Sequence, residues 1–179
     1  MRAAVVYESL YGNTASIAEA IGRGLRSTGM EVTVAGFDAF SPSQVVDLDL
    51  LIVGAPTHAH GLSHHATRET ARDDEQNRFE GATPEPGLRD WLHDLPDGAA
   101  RASVAFDTRL HGPKLLTGSA AKTIESKLED HGFQVAAPAE SFEVTKENTL
   151  AAGEEARAEA WAADMGSLLE TVLDEEQAP

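Results

Sequence analysis

Ser9-Leu10-Tyr11-Gly12-Asn13-Thr14 is the stretch from which the fold can be read. Before it runs the apolar segment Ala3-Ala4-Val5-Val6-Tyr7, and after it Thr14, Ile17, Ala18, Ile21 and Leu25 recur at helical spacing. The expected local structure is a buried strand over residues 2–8, a tight turn, and an amphipathic helix ending near Ser27-Thr28-Gly29. The N–H groups at the start of such a helix have no intrahelical acceptor, and the helix dipole favours an anion beside them. Ser9 and Thr14 add hydroxyls, Asn13 adds an amide, and Gly12 lets the backbone approach without a Cβ. The turn reads as a cradle for a phosphate.

Outward from the turn, strands and helices alternate. Glu31–Ala35 reads as a second strand, and Pro42 suits the first turn of a short helix after Ser41. The apolar run Leu50 to Val53 within residues 48–55 suits a central parallel strand covered on both faces. It leads into Pro56-Thr57-His58-Ala59-His60-Gly61-Leu62-Ser63, a loop at a strand's carboxyl end. Residues 66–87 are the least core-like segment, dense in charge and then in proline, and read as a partly helical excursion. Leu88, Trp91, Leu92 and Leu95 space as one helical face. Ala102–Phe106 is a fourth strand ending in the loop Asp107-Thr108-Arg109. Ser119 N-caps a further helix closed by Gly132. A fifth strand begins at Phe133–Ala136, with Phe142–Val144 as its continuation or neighbour. A long helix runs from Leu150, and residues 174–179 form an acidic tail. This is the pattern of a single α/β domain over residues 1–173: a doubly wound five-stranded parallel sheet with helices on both faces. In such sheets ligands sit outside the carboxyl ends of the strands, so residues 9–14, 56–63 and 107–118 are the candidate site.

Composition narrows the function. A net charge of −16 over 179 residues argues against binding nucleic acid or anionic membranes and favours basic protein partners. The chain has no cysteine, which excludes disulfides, thiolate chemistry and Cys-ligated metals. No apolar run reaches the roughly 18 to 20 residues that span a bilayer, and Met1-Arg2 leads straight into a strand. The expectation is a cytoplasmic monomer.

Ser9-x-Tyr11-Gly12-Asn13-Thr14 resembles the FMN phosphate loop of the flavodoxin family, whose usual form is Thr/Ser-x-Thr-Gly-x-Thr. The resemblance extends over residues 2–172 through length, strand spacing and the two later loops. It implies a flavodoxin-like fold, FMN as cofactor and electron transfer to redox proteins, with an electron carrier favoured over a self-contained oxidoreductase. It places the phosphate on Ser9, Leu10, Tyr11, Gly12, Asn13 and Thr14, and the ring between Pro56, Thr57, His58, Ala59, His60 and Gly61 on one side and Asp107, Thr108 and Arg109 on the other. Gly61 is the residue expected to offer a movable backbone group to the ring. Tyr11 departs from the family pattern, and neither ring loop carries the usual Trp or Tyr. His58, His60 or the Arg109 guanidinium are flat groups that can stack instead. Trp91 and Trp161 sit on apolar helical faces and read as core.

The missing ring aromatics leave open a flavodoxin-fold interaction module without flavin, and the fold also admits an NAD(P)H-dependent flavin or quinone reductase. His58, His60, His64 and His65 fall within eight residues, but not at a known metal-ligand spacing. The Lys of a Walker loop is absent, as is Gly-x-Gly-x-x-Gly. Ser63, His64 and Asp107 would make a nucleophile set only if the fold brought them together, and Ser63 lies in no nucleophile elbow.

Overall fold

Four consecutive apolar residues, Ala3 to Val6, are almost wholly buried in strand β1 (Arg2–Tyr7), because both faces of the sheet are covered. The computed structural model describes residues 1–58, 61–74, 77, 79, 86–100, 102–112 and 118–177, with side chains through residue 169. The other strands are β2 (Glu31–Gly36), β3 (Leu50–Pro56), β4 (Ala102–Leu110) and β5 (Glu140–Val144). They form one sheet in the order β2-β1-β3-β4-β5, and every neighbouring pair is parallel. The chain goes from β1 outward to β2 and then crosses back to β3. The connections from the carboxyl ends of β1 and β3 therefore diverge and leave a crevice between them.

Alternate strand residues face opposite layers. Val5, Ile52, Val104 and Phe106 pack beneath α1 (Asn13–Ser27) and α5 (Glu154–Gln177). Val6, Leu51, Val53 and Ala105 pack beneath the 3₁₀ helix Pro42–Asp47, α3 (Leu88–His93) and α4 (Ala120–Asp130). Each fully buried Val, Leu or Ile contributes roughly 1.5–3 kcal/mol relative to exposure. Gly24 lets α1 and α5 approach closely: a Cβ there would lie 2.1 Å from the Glu159 carbonyl oxygen. Arg157 ties α5 to β5, bonding Glu154 and Glu140 while its guanidinium lies 4.4 Å from the centre of the Phe142 ring. Both tryptophans serve packing. Trp91 is buried and donates its indole N–H to the Phe40 carbonyl, and Trp161 lies edge-on to Phe142.

Several boundaries differ from the sequence reading, and Pro56, expected to open the loop, is the last residue of β3, paired with Thr108. Asp107, Thr108 and Arg109 belong to β4 and not to the loop after it, because Phe106 through Leu110 pair with Glu140 through Val144. Of the segment Phe133–Ala136, only Val135 bridges to Ser103, and the fifth strand proper is Glu140–Val144. Leu150 bridges back to Val144, so the last helix starts at Glu154; it continues to Gln177 through much of the expected acidic tail. The 66–87 excursion contains α2 (His65–Asp73), whose Ala71 packs on Leu10 of the turn after β1. No described helix is long and apolar enough to cross a membrane.

Candidate functional site

The turn after β1 is shaped by one hydroxyl and one glycine. Ser9 is buried, and its Oγ accepts the N–H groups of Gly12 at 3.1 Å and Ala15 at 3.3 Å, which winds the turn into α1. Gly12 sits at φ +89°, in the left-handed region that a side chain makes costly. The backbone N–H groups of Asn13 and Thr14 have no acceptor among the described residues, and they lie at the positive end of the 15-residue α1. The buried Thr14 hydroxyl bonds the Thr108 hydroxyl at 2.8 Å, which joins the turn to β4. The Asn13 amide donates to the Asn148 carbonyl at 2.9 Å.

The excursion folds back onto this turn. Asn77 donates to the Leu10 carbonyl at 2.7 Å and to the Ala71 carbonyl at 2.8 Å. The Phe79 ring lies 3.4 Å from where a Cβ on Gly12 would stand. Beneath the turn, Ser63 donates to buried Glu8 at 2.5 Å, and the Arg68 guanidinium reaches Ser63 Oγ at 3.1 Å. These buried groups fix α2 and the end of the β3 loop against β1.

A cleft of about 300 Å³ opens beside the turn. Of the residues singled out in the sequence, Leu10, Tyr11, Asn13, Thr14, Pro56, Thr57, His58, Thr108 and Arg109 line it. Ser9 and Gly12 shape the turn below. Ala59 and His60 lie outside the described residues. Gly61 does not line the cleft: its N–H and carbonyl both bond the His58 backbone, at 3.0 and 2.9 Å. Asp107 is fully buried and faces the start of α4, where its Oδ2 accepts from Thr57 Oγ1, Ser119 Oγ and the Ala121 N–H. Ser63 and Asp107 thus bond different partners, and no nucleophile set forms from them. Among the described residues no three His, Asp or Glu side chains are grouped to hold a metal ion.

Leu110, within the candidate stretch 107–118, also lines the cleft, and so do Val144 and Asn148, which escaped the sequence reading. Asn148 had a faint signal. It is the only described non-glycine residue with positive φ, at 55°, and Asn tolerates that conformation within the turn Thr145–Thr149. Leu110 and Val144 enter through the register of β4 with β5, which is not local in sequence. Burial holds the His58 imidazole below its ordinary pKa, so it is neutral at neutral pH. Burial, then the neighbouring Asp74, raises the Tyr11 phenol.

The family profile described as flavodoxin matches residues 5–161. The chain is 38% identical over 138 residues to the putative diflavin flavoprotein A 4 of Synechocystis sp., a match covering 75% of this chain and 19% of that protein. The chain thus spans about a fifth of the length of that curated relative. Its fold is similar to that of a flavodoxin from the domain Archaea, with TM-score 0.62, 21% identity, and 95% and 99% of the two chains covered. It is also similar to oxidised flavodoxin 1 from Bacillus cereus, with TM-score 0.66, 19% identity, and 93% and 98% covered. At these identities the two structures speak for the fold.

Proposed function

The chain belongs to the flavodoxin family, and we propose from that premise that it binds FMN across the ends of β1, β3 and β4 and transfers electrons. One observation carries the reading. The turn Ser9–Thr14 combines a left-handed Gly12, buried Ser9 and Thr14 hydroxyls, and the unpaired N–H groups of Asn13 and Thr14 among the described residues. That donor set, at a helix's positive end and beside a cleft of about 300 Å³, fits a phosphate joined to a flat, partly apolar ring.

FMN, when bound, supplies the one- and two-electron chemistry, and the chain supplies binding, orientation and local charge. Ser9, Gly12, Asn13 and Thr14 hold the phosphate. Pro56, Leu110 and Val144 give the cleft its apolar wall and exclude water from it. His58 and Arg109 are the flat groups in the places where the family has aromatic rings, and Tyr11 adds an aromatic side chain to the lining. The acidic surface steers basic redox proteins, so association with such a partner weakens as salt rises.

Titration of flavin-free protein with FMN tests the reading. Quenching of FMN fluorescence with saturable stoichiometry is expected. Protein that leaves FMN fluorescence unchanged at millimolar concentration would instead favour the interaction module without flavin.

A further inference from the structure

Glu8 stands directly before the phosphate turn and is buried at 2% exposure. Its backbone N–H donates to the Gly54 carbonyl of β3 at 3.0 Å. Its carboxylate accepts the Ser63 hydroxyl at 2.5 Å and the Leu88 N–H, at the start of α3, at 3.3 Å. Ser63 is also buried and ends the loop after β3. Buried Arg68 of α2 donates to the Ser63 hydroxyl at 3.1 Å and to the Ser63 carbonyl at 3.4 Å. Arg89 of α3 donates to that carbonyl and to the Leu62 carbonyl, each at 3.3 Å. Gly87 leaves room for the Arg68 guanidinium: a Cβ there would lie 2.4 Å from its Nη1. Ser63 is thus a hub that joins β1, α2 and α3 to the end of one loop.

Apolar side chains would serve stability as well at such positions, because taking a carboxylate and a guanidinium out of water offsets much of what their attraction returns. Directional bonds add a fixed distance. Here the distance lies between the two halves of the candidate site. The loop after β3 is pinned at its start, where Thr57 bonds the Thr108 carbonyl and the Asp107 carboxylate, and at its end by Ser63. Between these points lie His58, which lines the cleft, and Gly61, whose backbone pairs with it. Glu8, in turn, is joined through one peptide bond to Ser9 of the phosphate turn. A ligand with a phosphate in the turn and a ring against the loop gains from being held at both ends only when their spacing matches its own. We propose, on the footing that this cleft is the FMN site, that Glu8, Arg68 and Arg89, joined through Ser63, are positioning residues that set the spacing between the phosphate turn and the ring loop. None of the four lines the cleft.

Parallel titrations of flavin-free wild type and variants with FMN and with riboflavin test this. Riboflavin has no phosphate and can follow a shifted loop, whereas FMN is tied to the turn as well. Ser63→Ala should therefore lower the ratio of FMN affinity to riboflavin affinity roughly tenfold, the worth of one hydrogen bond. Ser63→Thr, which keeps the hydroxyl, should hold the ratio near that of the wild type. A network that served stability alone would lower the thermal midpoint of Ser63→Ala and leave the ratio unchanged, and that result would overturn the proposal. Should Ser63→Ala fail to fold by circular dichroism, Arg89→Ala decides, since it removes an exposed residue's bonds to the Leu62 and Ser63 carbonyls. A lowered ratio is expected there too, and an unchanged one would overturn the proposal. Wild-type protein that binds neither flavin would remove the FMN reading itself, an outcome distinct from binding of both flavins with the ratio intact in the variants.

Discussion

Gly12 and His58 are the residues whose roles are most open to single substitutions. Gly12 lies at φ +89°, and a Cβ would meet the Phe79 ring at 3.4 Å. Gly12→Ala should cost about 1–2 kcal/mol of stability through the left-handed backbone, and weaken FMN binding by distorting the cradle. Urea unfolding and FMN titration of the variant check both. His58 offers a pH signature. Burial lowers its pKa in the folded state, so above the ordinary value of 6.5 it contributes no pH dependence. As pH falls through 6.5 the unfolded chain takes up a proton that the folded chain refuses, and stability drops until pH passes the lowered folded value. The thermal midpoint of the wild type should fall more steeply below that pH than that of His58→Asn. Equal slopes would show that the imidazole is not held neutral. At this scale the shape of the turn was legible, because Ser9 and Gly12 act through local geometry, whereas the Thr14 hydroxyl bonds Thr108 on β4. The side-chain roles of Asp107 and Thr57 were not, since each is decided by the start of α4 more than ten residues away in sequence.

Elements and their order followed from periodicity: the apolar run Leu50–Val53 is the central β3, and the face Ile17, Ala18, Ile21 and Leu25 is the buried side of α1. Ends set by pairing did not follow. Asp107 has weak strand propensity, and the segment Asp107 to Arg109 continues β4 because β3 pairs with Asp107 and Thr108 on one side and β5 with all three on the other. Pro138 interrupts the apolar pattern that made Phe133–Ala136 look like a strand, and the pairing resumes at Glu140. The contact of α1 with α5 is the tightest between helices that the glycines reveal. A Cβ on Gly24 would stand 2.1 Å from the Glu159 carbonyl and 2.9 Å from the Ala162 Cβ. Gly24→Ala should therefore destabilise the fold by about 1–3 kcal/mol through overpacking, despite the better helix propensity of Ala. A lowered urea midpoint with unchanged slope checks this, whereas a raised midpoint would mean the two helices can separate freely.

At the scale of the whole molecule, an acidic exterior surrounds a crevice without carboxylates among its described lining, at the reversal of strand order between β1 and β3. The exterior sets which proteins approach, and the crevice sets what is held. The central claim is that the turn Ser9–Thr14 holds the phosphate of FMN. The most direct measurement compares FMN with riboflavin, which has the same ring and no phosphate, in parallel fluorescence titrations of flavin-free protein. Each charge-assisted hydrogen bond lost with the phosphate is worth about 1.5–3 kcal/mol, so riboflavin should bind at least roughly tenfold more weakly. Equal affinity for the two flavins would contradict the account.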